Sequence, residues 1–388
     1  MKNIGIGLIG YGGIGKIHTL CYKDIGMFYP GQLPAIDLAA VCTSNPETAE
    51  RAAQEGGYRK CYTEFSTLIH ADDVTIVDCA LPNVLHKSVL LEAIAAGKHV
   101  YCEKPLAMNA AEAKDIADAA TDAGVQIGMT FNYRFVPALL RAYELIQEGA
   151  LGAIYRFQAE YLHSGYEHPE RPLSWRLNHK KSGGGALADL GAHAIDLMRW
   201  LLGEFQSVRA VTHTYIKERP LTNGAKETGP VTVDDAAWLQ VSLANGGIGT
   251  IEASRFSTGV LDELRFEICG EKGALRFNLM DGNWLYWYDA SRKSGAYGGE
   301  RGWLRLETVH HYPGASIPVP RAILGWSRTH AENQYQFLKA LVEGKTPQPN
   351  VLDGLRTQYI LDAAYASAER GGWVRVEPDE TQEGAAAW

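Results

Sequence analysis

The feature that most constrains this chain lies within its first two dozen residues. An apolar run, IGIGLI, enters Gly10, Tyr11, Gly12, Gly13, Ile14 and Gly15, and a helix-compatible segment, KIHTLCYK, comes at once after it. Strand, glycine turn and helix in that order are the fingerprint of a dinucleotide-binding unit. Gly10 permits the tight turn, Gly12 lets the main chain approach a pyrophosphate, and Gly15 lets helix and strand lie close together. The helix amino terminus then offers N–H groups and partial positive charge to the phosphates.

Downstream of this turn the chain has the grain of a parallel sheet. Strand-length runs at 4–9, 37–43, 75–80, 98–102 and 125–130 alternate with helix-period segments, as βαβ crossovers require. Cores such as LAAVC and TIVDCA are almost wholly apolar, which suits strands buried on both faces. Beyond about residue 131 the pattern changes. One helix near 137–148 precedes strand-like stretches, IYRFQAEYLH, AAWLQVSLA, IGTIEASRF, LRFEICG and ALRFNLM, separated by turn signals at 245–247, 271–273 and 281–283. The expected fold class is α/β: a Rossmann doubly wound parallel sheet over 1–130, then an α/β domain with an open, mainly antiparallel sheet over 131–388. A length of 388 residues also exceeds what one core usually organises. All nine tryptophans fall beyond Gly152, so the second half supplies the aromatic surface.

Composition narrows the partners. A net charge of −8 gives no footprint for phosphate backbones, so nucleic acid is not expected. The six cysteines are scattered singly and read as reduced core residues. No stretch reaches membrane-spanning length and no basic, apolar leader precedes the first strand, so a cytoplasmic location is expected. The acidic tail from Glu377 is poor in core formers and is expected to be mobile. The segment GMFYPGQLP at 26–34 has no role readable from its residues.

Candidate site residues cluster at predicted strand ends. After the second strand, Thr43 and Ser44 stand where a carboxylate would grip the ribose hydroxyls of NAD or an arginine would welcome the phosphate of NADP. Neither is present, so NAD or NADP stays open, with the balance tipped to NAD. Leu81, Pro82, Asn83 and His86 come after one strand, and Glu103 and Lys104 after the next; open parallel sheets bind their ligands at that edge. Farther on, SerGlyGlyGly at 182–185 leads into a predicted helix closed by Gly203. Leu187, Leu190, Ala194, Leu197, Met198 and Leu201 form its apolar stripe, while Asp189, His193 and Asp196 recur at i, i+4 and i+7. His193 with Asp189 as partner can titrate near neutrality, as a proton shuttle must. His310 and His311, with the isolated His163, His168 and His179, form no ligand pattern, so no metal is expected.

Taken together, GYGGIG at 10–15, LPNVLH at 81–86, EKP at 103–105 and GGGALADLGAHAIDL at 183–197 resemble the Gfo/Idh/MocA oxidoreductases over nearly the whole chain. The resemblance implies an NAD(P)-dependent dehydrogenase of sugars, anhydrosugars or polyols, and a homodimer or homotetramer assembled through the carboxyl-terminal sheet. It implies that Lys104 touches nicotinamide and substrate, and that Asp189 and His193 form the DxGxH pair, the histidine acting as acid and base in members of the inositol dehydrogenase type. TrpArg at 175–176 and Asn132 resemble elements near the cofactor, and Arg134 one near the substrate. With a sugar in mind, Tyr161, His163, Tyr166 and Trp175 are candidate wall residues. The alternatives are an NAD-recycling enzyme that cleaves glycosides by oxidation, elimination and reduction, and a non-catalytic dinucleotide sensor.

Overall fold

The computed structural model describes residues 4–308, 312–317, 322 and 325–376; His310, His311 and the tail from 377 lie outside them. The chain forms two compact units, one holding the residues up to Pro137 with the described part of Val309–Leu355, the other Ala138–Thr308 with those from Arg356 onward.

The first unit is built on six parallel strands, β1 (Ile4–Ile9), β2 (Ile36–Cys42), β3 (Lys60–Tyr62), β4 (Ile76–Cys79), β5 (His99–Cys102) and β6 (Ile127–Met129), in the order β3-β2-β1-β4-β5-β6. The chain reverses direction across the sheet between β1 and β4, and the crevice outside the carboxyl ends there is where such sheets bind ligands. β1 is buried at every position, as its apolar run requires. The edge strand β3 is three residues long and partly exposed, so no apolar run marks it in the sequence.

The boundary expected at residue 131 differs from the observed division, because a late segment returns to the first unit. Its helix, Trp326–Glu343, is held by the segment 26–34, whose residues carry no readable role in the sequence. Helix α1 (Gly13–Phe28) runs three residues into the segment 26–34. Tyr29 then stacks on Tyr335 with ring centroids 3.4 Å apart, and its hydroxyl donates to Glu332. Arg328 pairs with Glu332 at 2.9 Å and lies 4.3 Å over the Phe28 ring. The Tyr335 hydroxyl donates to Gln32 Oε1 at 2.6 Å. Segment 26–34 is thus an anchor for a distant helix.

The second unit carries a mixed sheet of nine strands: β7 (Ile154–His163), β8 (Phe205–His213), β11 (Ala236–Leu243), β12 (Ile248–Ser254), β13 (Asp262–Gly270), β14 (Gly273–Asn278), β15 (Trp284–Asp289), β18 (Trp303–Glu307) and β19 (Val374–Arg375). Two ribbons, β9 (Glu218–Pro220) with β10 (Thr228–Pro230) and β16 (Ser294–Gly295) with β17 (Gly298–Gly299), stand apart from it. The order is β18-β15-β14-β13-β7-β12-β11-β8-β19, antiparallel except where β12 runs parallel to β7. Strict alternation sorts the faces. Leu239, Val241, Ile251, Ala253, Phe266 and Ile268 are buried on one side, where the helix Ala192–Leu202 packs beside β7 and β12. Gln240, Thr250 and Arg209 pair along the other.

Tyr335→Ala removes a fully buried ring together with its hydrogen bond to the anchor segment. Loss of about 3–5 kcal/mol is expected in urea unfolding. A loss below about 1 kcal/mol would show that the anchor does not hold the helix.

Candidate active site

The glycine turn is shaped for an anion. Gly10 adopts φ +96°, and a Cβ there would stand 2.4 Å from the Ala80 carbonyl oxygen. A Cβ on Gly15 would meet the Gly10 carbonyl oxygen at 2.2 Å. Gly12 and Gly13 are exposed and open, with no atom near the place a Cβ would take. Two neighbouring helices are capped: Asn45 Oδ1 accepts from the Thr48 amide and Asn109 Oδ1 from the Glu112 amide, each at 2.9 Å. Helix α1 has no side-chain cap and no acidic residue in its first turn. Its amino-terminal donors stay available and unopposed, which fits a pyrophosphate. Tyr11 flanks the turn with Lys16 5.4 Å over its ring, and Ile14 is half-buried in the first turn.

At the end of β2, the Thr43 and Thr48 hydroxyls are 2.6 Å apart, and Ser44 is exposed. Neither supplies charge for or against a ribose phosphate.

The edge beyond β4 and β5 departs from expectation at several positions. Leu81 and Pro82 are half-buried and Asn83 is buried. His86, expected to face the cofactor, is fully buried: Nδ1 lies 3.0 Å from the Pro105 carbonyl and Nε2 3.0 Å from the Leu81 carbonyl. Burial, the largest effect, holds its pKa below the ordinary value, and the ring bridges the loops that follow β4 and β5. Arg134, expected at the substrate, is buried in an ion pair with Asp353 at 3.0 Å. Asn132 is buried too, and its Nδ2 donates to Thr329 Oγ1 at 3.0 Å. The strand edge for His86 and the resemblance for Asn132 and Arg134 pointed to ligand contact, but all three spend their polar groups on partners within their own unit. Lys104 is half-buried and lies just past the end of β5.

Glu103 is committed inward. Its Oε1 lies 3.1 Å from His18 Nε2, while the Lys104 amide donates to Oε2 at 3.3 Å. On the other side His18 Nδ1 lies 2.9 Å from Asp78 Oδ1, and Tyr22 donates to Asp78 Oδ2 at 2.8 Å. His18 and Asp78 are fully buried. Burial, the largest effect, pushes His18 toward neutrality, yet Asp78 and Glu103 together outweigh it and raise the imidazole to about 10. Burial would raise Glu103, but the hydrogen bond and charge of His18 bring it below its ordinary range. His330, 6.0 Å away, falls to about 3 through burial and then the His18 charge. His18, Glu103 and His330 have the residue types of a metal site, as do Cys79, His86 and Cys102. His18 spends both ring nitrogens on carboxylate oxygens, which leaves it no lone pair for a metal. Sequence reading missed His18, although its place three residues after Gly15, on a helix face otherwise turned to the core, is a signal.

In the second unit Gly184 and Gly185 meet the unit's own chain. A Cβ on Gly184 would stand 2.2 Å from the Tyr365 hydroxyl, and one on Gly185 1.9 Å from the Asp234 carbonyl. They therefore serve packing within the unit. The Asp234 carboxylate accepts from the Gly185 amide at 2.9 Å, the Leu187 amide at 2.8 Å and the Tyr365 hydroxyl at 2.8 Å. The single predicted helix is instead a π-helical turn, Leu187–Gly191, running into the α-helix Ala192–Leu202. Such turns recur at functional sites. The apolar stripe is buried as expected. Asp189 and His193 remain half-buried, but Asp196 is 2% exposed beside Arg199 and leaves the polar face.

Asp189 Oδ2 accepts from Arg255 Nη2 at 2.9 Å. Tyr166 stacks under Arg255 at 4.8 Å and under Arg171 at 4.1 Å. The Tyr161 ring makes T-shaped contacts with both His193 and His163, and His163 Nε2 lies 2.8 Å from Asp262 Oδ1. The structure thus gathers Tyr161, His163, Tyr166, Asp189 and His193 within one unit. Trp175 and Arg176 stack on each other at 4.5 Å on the turn Trp175–Leu177. Arg255 and Asp234 were not legible; each lies just outside an apolar strand with no motif around it.

A Rossmann sheet with an uncapped glycine turn, a lysine at its ligand edge and an Asp–His helix in a second, sheet-based unit define a dinucleotide-dependent oxidoreductase. The chain belongs to the Gfo/Idh/MocA family: residues 4–131 match the oxidoreductase family, NAD-binding Rossmann fold, and residues 139–276 match the GFO/IDH/MocA C-terminal domain. It is 37% identical to levoglucosan dehydrogenase of Pseudarthrobacter phenanthrenivorans, over 97% of this chain and 99% of that protein. Glucose-6-phosphate 3-dehydrogenase of Bacillus subtilis is 28% identical over 93% of this chain and 95% of its own. A solved levoglucosan dehydrogenase in complex with NADH and levoglucosan superposes with a TM-score of 0.91 at 36% identity, covering 97% of this chain and 100% of that one.

Because His18 is raised in the folded state from 6.5 to about 10, its stabilisation is complete below about pH 6.5 and is lost as pH rises through about 10. His18→Gln, with no charge to lose, is expected to be about 3–5 kcal/mol less stable at neutral pH. Its melting temperature should also decline less between neutral pH and about pH 10 than that of the wild type. Parallel melting curves across that range would contradict the charged assignment.

Proposed function

We propose that this protein is an NAD-dependent dehydrogenase that oxidises a secondary hydroxyl of a sugar or anhydrosugar. The observation that carries the reading is the coincidence of an open dinucleotide turn with Lys104, Asp189 and His193 in a chain similar along its whole length to a levoglucosan dehydrogenase. Gly10 to Gly15, the first turn of α1, Thr43 and Ser44 would hold NAD, whose nicotinamide supplies the hydride acceptor.

The residues have separable duties. Removing hydride from a carbinol leaves a protonated carbonyl unless a base takes the hydroxyl proton, and His193 is assigned that proton. The Lys104 ammonium stabilises the developing alkoxide. Asp189, held by Arg255, accepts a hydrogen bond from a substrate hydroxyl or orients His193. Tyr161, Tyr166 and His163 offer aromatic surface beside that pair. The NADH named with the relative's structure supports NAD over NADP, since Thr43 and Ser44 do not decide between them.

The exposed face of the nine-stranded sheet is the proposed contact between copies in a homodimer or homotetramer. Val211 is 60% exposed, Ile248 61% and Trp238 38%, amid polar neighbours, an apolar patch of the kind that marks interfaces. No helix among the described residues is long and apolar enough to cross a membrane, and all six cysteines are free, which fits the proposed cytoplasmic location.

A panel of levoglucosan, aldoses, glucosides and inositols with NAD and NADP in parallel tests the substrate class. Strong NAD reduction by one sugar group is expected; product without net NADH would point to the glycoside-cleaving cycle, and silence across the panel to a sensor. On the best substrate, Lys104→Met and His193→Ala should each lower kcat/KM by about 10²–10⁴-fold. Retention within a few-fold would remove them from the mechanism. Sedimentation should give a dimer or tetramer that Trp238→Glu weakens, whereas a monomeric wild type would contradict the proposed contact.

A further inference from the structure

Two arginines are fully buried in the second unit, and they are used differently. Arg219 donates to the carbonyl oxygens of His168 at 2.9 Å, Tyr166 at 2.5 Å and Arg171 at 3.4 Å. Both of its Nη groups fasten a loop and only Nε is left without a partner among the described residues, the use expected of a structural arginine. Arg255 is only 1% exposed, yet Nε and Nη1 find no hydrogen-bond partner among the described residues, and Nη2 is spent on Asp189 Oδ2 at 2.9 Å. Burying a cation with most of its donors unmet is costly and is poor economy for stability alone. Its backbone is pinned, since the Arg255 amide donates to the Asp235 carbonyl at 2.9 Å. Its plane is backed by the Tyr166 ring.

We propose that Arg255 is a positioning residue for the reaction, fixing Asp189 as a carboxylate in one orientation beside His193. Sugar hydroxyls and the histidine ring then meet an acceptor whose charge and direction are set before substrate arrives. The inference rests on the reading that Asp189 belongs to the reacting group. The charged and titratable groups around Arg255 are Asp189, Asp234, Asp235, Tyr166, Tyr365 and Arg219, with Arg171 also 4.1 Å over the Tyr166 ring. Asp234 is committed to two amides and Tyr365, and Asp235 to the Tyr215 and Ile216 amides. Asp189 is the acid that loses its hydrogen-bonded cation when Arg255 is replaced.

The test compares kcat/KM against pH for wild type, Arg255→Gln, Arg255→Lys, Asp189→Asn and the Arg255→Gln/Asp189→Asn double variant, on the best sugar with NAD. Melting curves and NADH titration by fluorescence are run on each. Arg255→Gln should move the acidic limb upward by about one pH unit or more and lower kcat at least tenfold, with NADH affinity within twofold of wild type. The shift should vanish in the Asp189→Asn background, because the effect travels through that carboxylate. Arg255→Lys keeps the charge without the planar fork, so its limb should stay at the wild-type position while kcat falls. An unmoved limb in a cooperatively melting Arg255→Gln, or a shift that persists without Asp189, would overturn the proposal. If Arg255→Gln does not fold, a displaced limb or wild-type kcat in Arg255→Lys would overturn it instead. Asp189→Asn with wild-type turnover would sink the underlying site assignment, a distinct result.

Discussion

A histidinium shut away from water and gripped by two carboxylates organises the first unit. His18 sits one turn into α1, whose amino terminus forms the phosphate cradle. Asp78 lies in β4, and Glu103 directly precedes Lys104 at the end of β5. Taking any one of these charges out of water alone would cost several kcal/mol, so each is tolerable only while the others stay in place. The cradle and the lysine are therefore fixed relative to each other by groups that need contact neither cofactor nor substrate. His330 beside them stays neutral and adds no competing charge.

The second unit meets the same need by different means. Asp189 and His193 stand on a π-helical turn whose start is capped by Asp234, and Asp189 is backed by a buried guanidinium. In both units the half-buried polar residues assigned to chemistry stand on buried charges whose hydrogen bonds are nearly all internal. Such backing gives an acid, base or electrophile a defined direction before substrate binds.

How much of this the sequence discloses depends on the range of the interactions involved. Local signals sufficed for β1, the glycine turn, the apolar stripe from Leu187 to Leu201 and most strands of the second sheet, because periodicity and turn residues act over a few positions. The edge strand β3 was too short to leave a period. The return of Trp326–Glu343 to the first unit, and the anchor at 26–34 that receives it, depend on contacts some 300 residues apart, such as Tyr29 with Glu332. The candidate site divides similarly. Motif spacing singled out Lys104, Asp189 and His193, but His86, Arg134 and Asn132 were taken for ligand contacts because the sequence does not reveal that their partners are Leu81, Asp353 and Thr329. Likewise the glycines at 184 and 185 signalled close approach without saying that Tyr365 and Asp234 are what approaches.

The central claim is hydride transfer from a sugar carbon to NAD, and isotope transfer addresses it most directly. Incubating the protein with NAD and levoglucosan deuterated at its ring carbons should place one deuterium on the nicotinamide of each NADH formed, in step with the keto sugar produced. A keto sugar appearing without deuterium in the NADH, or NADH formed carrying solvent hydrogen at that carbon, would contradict it.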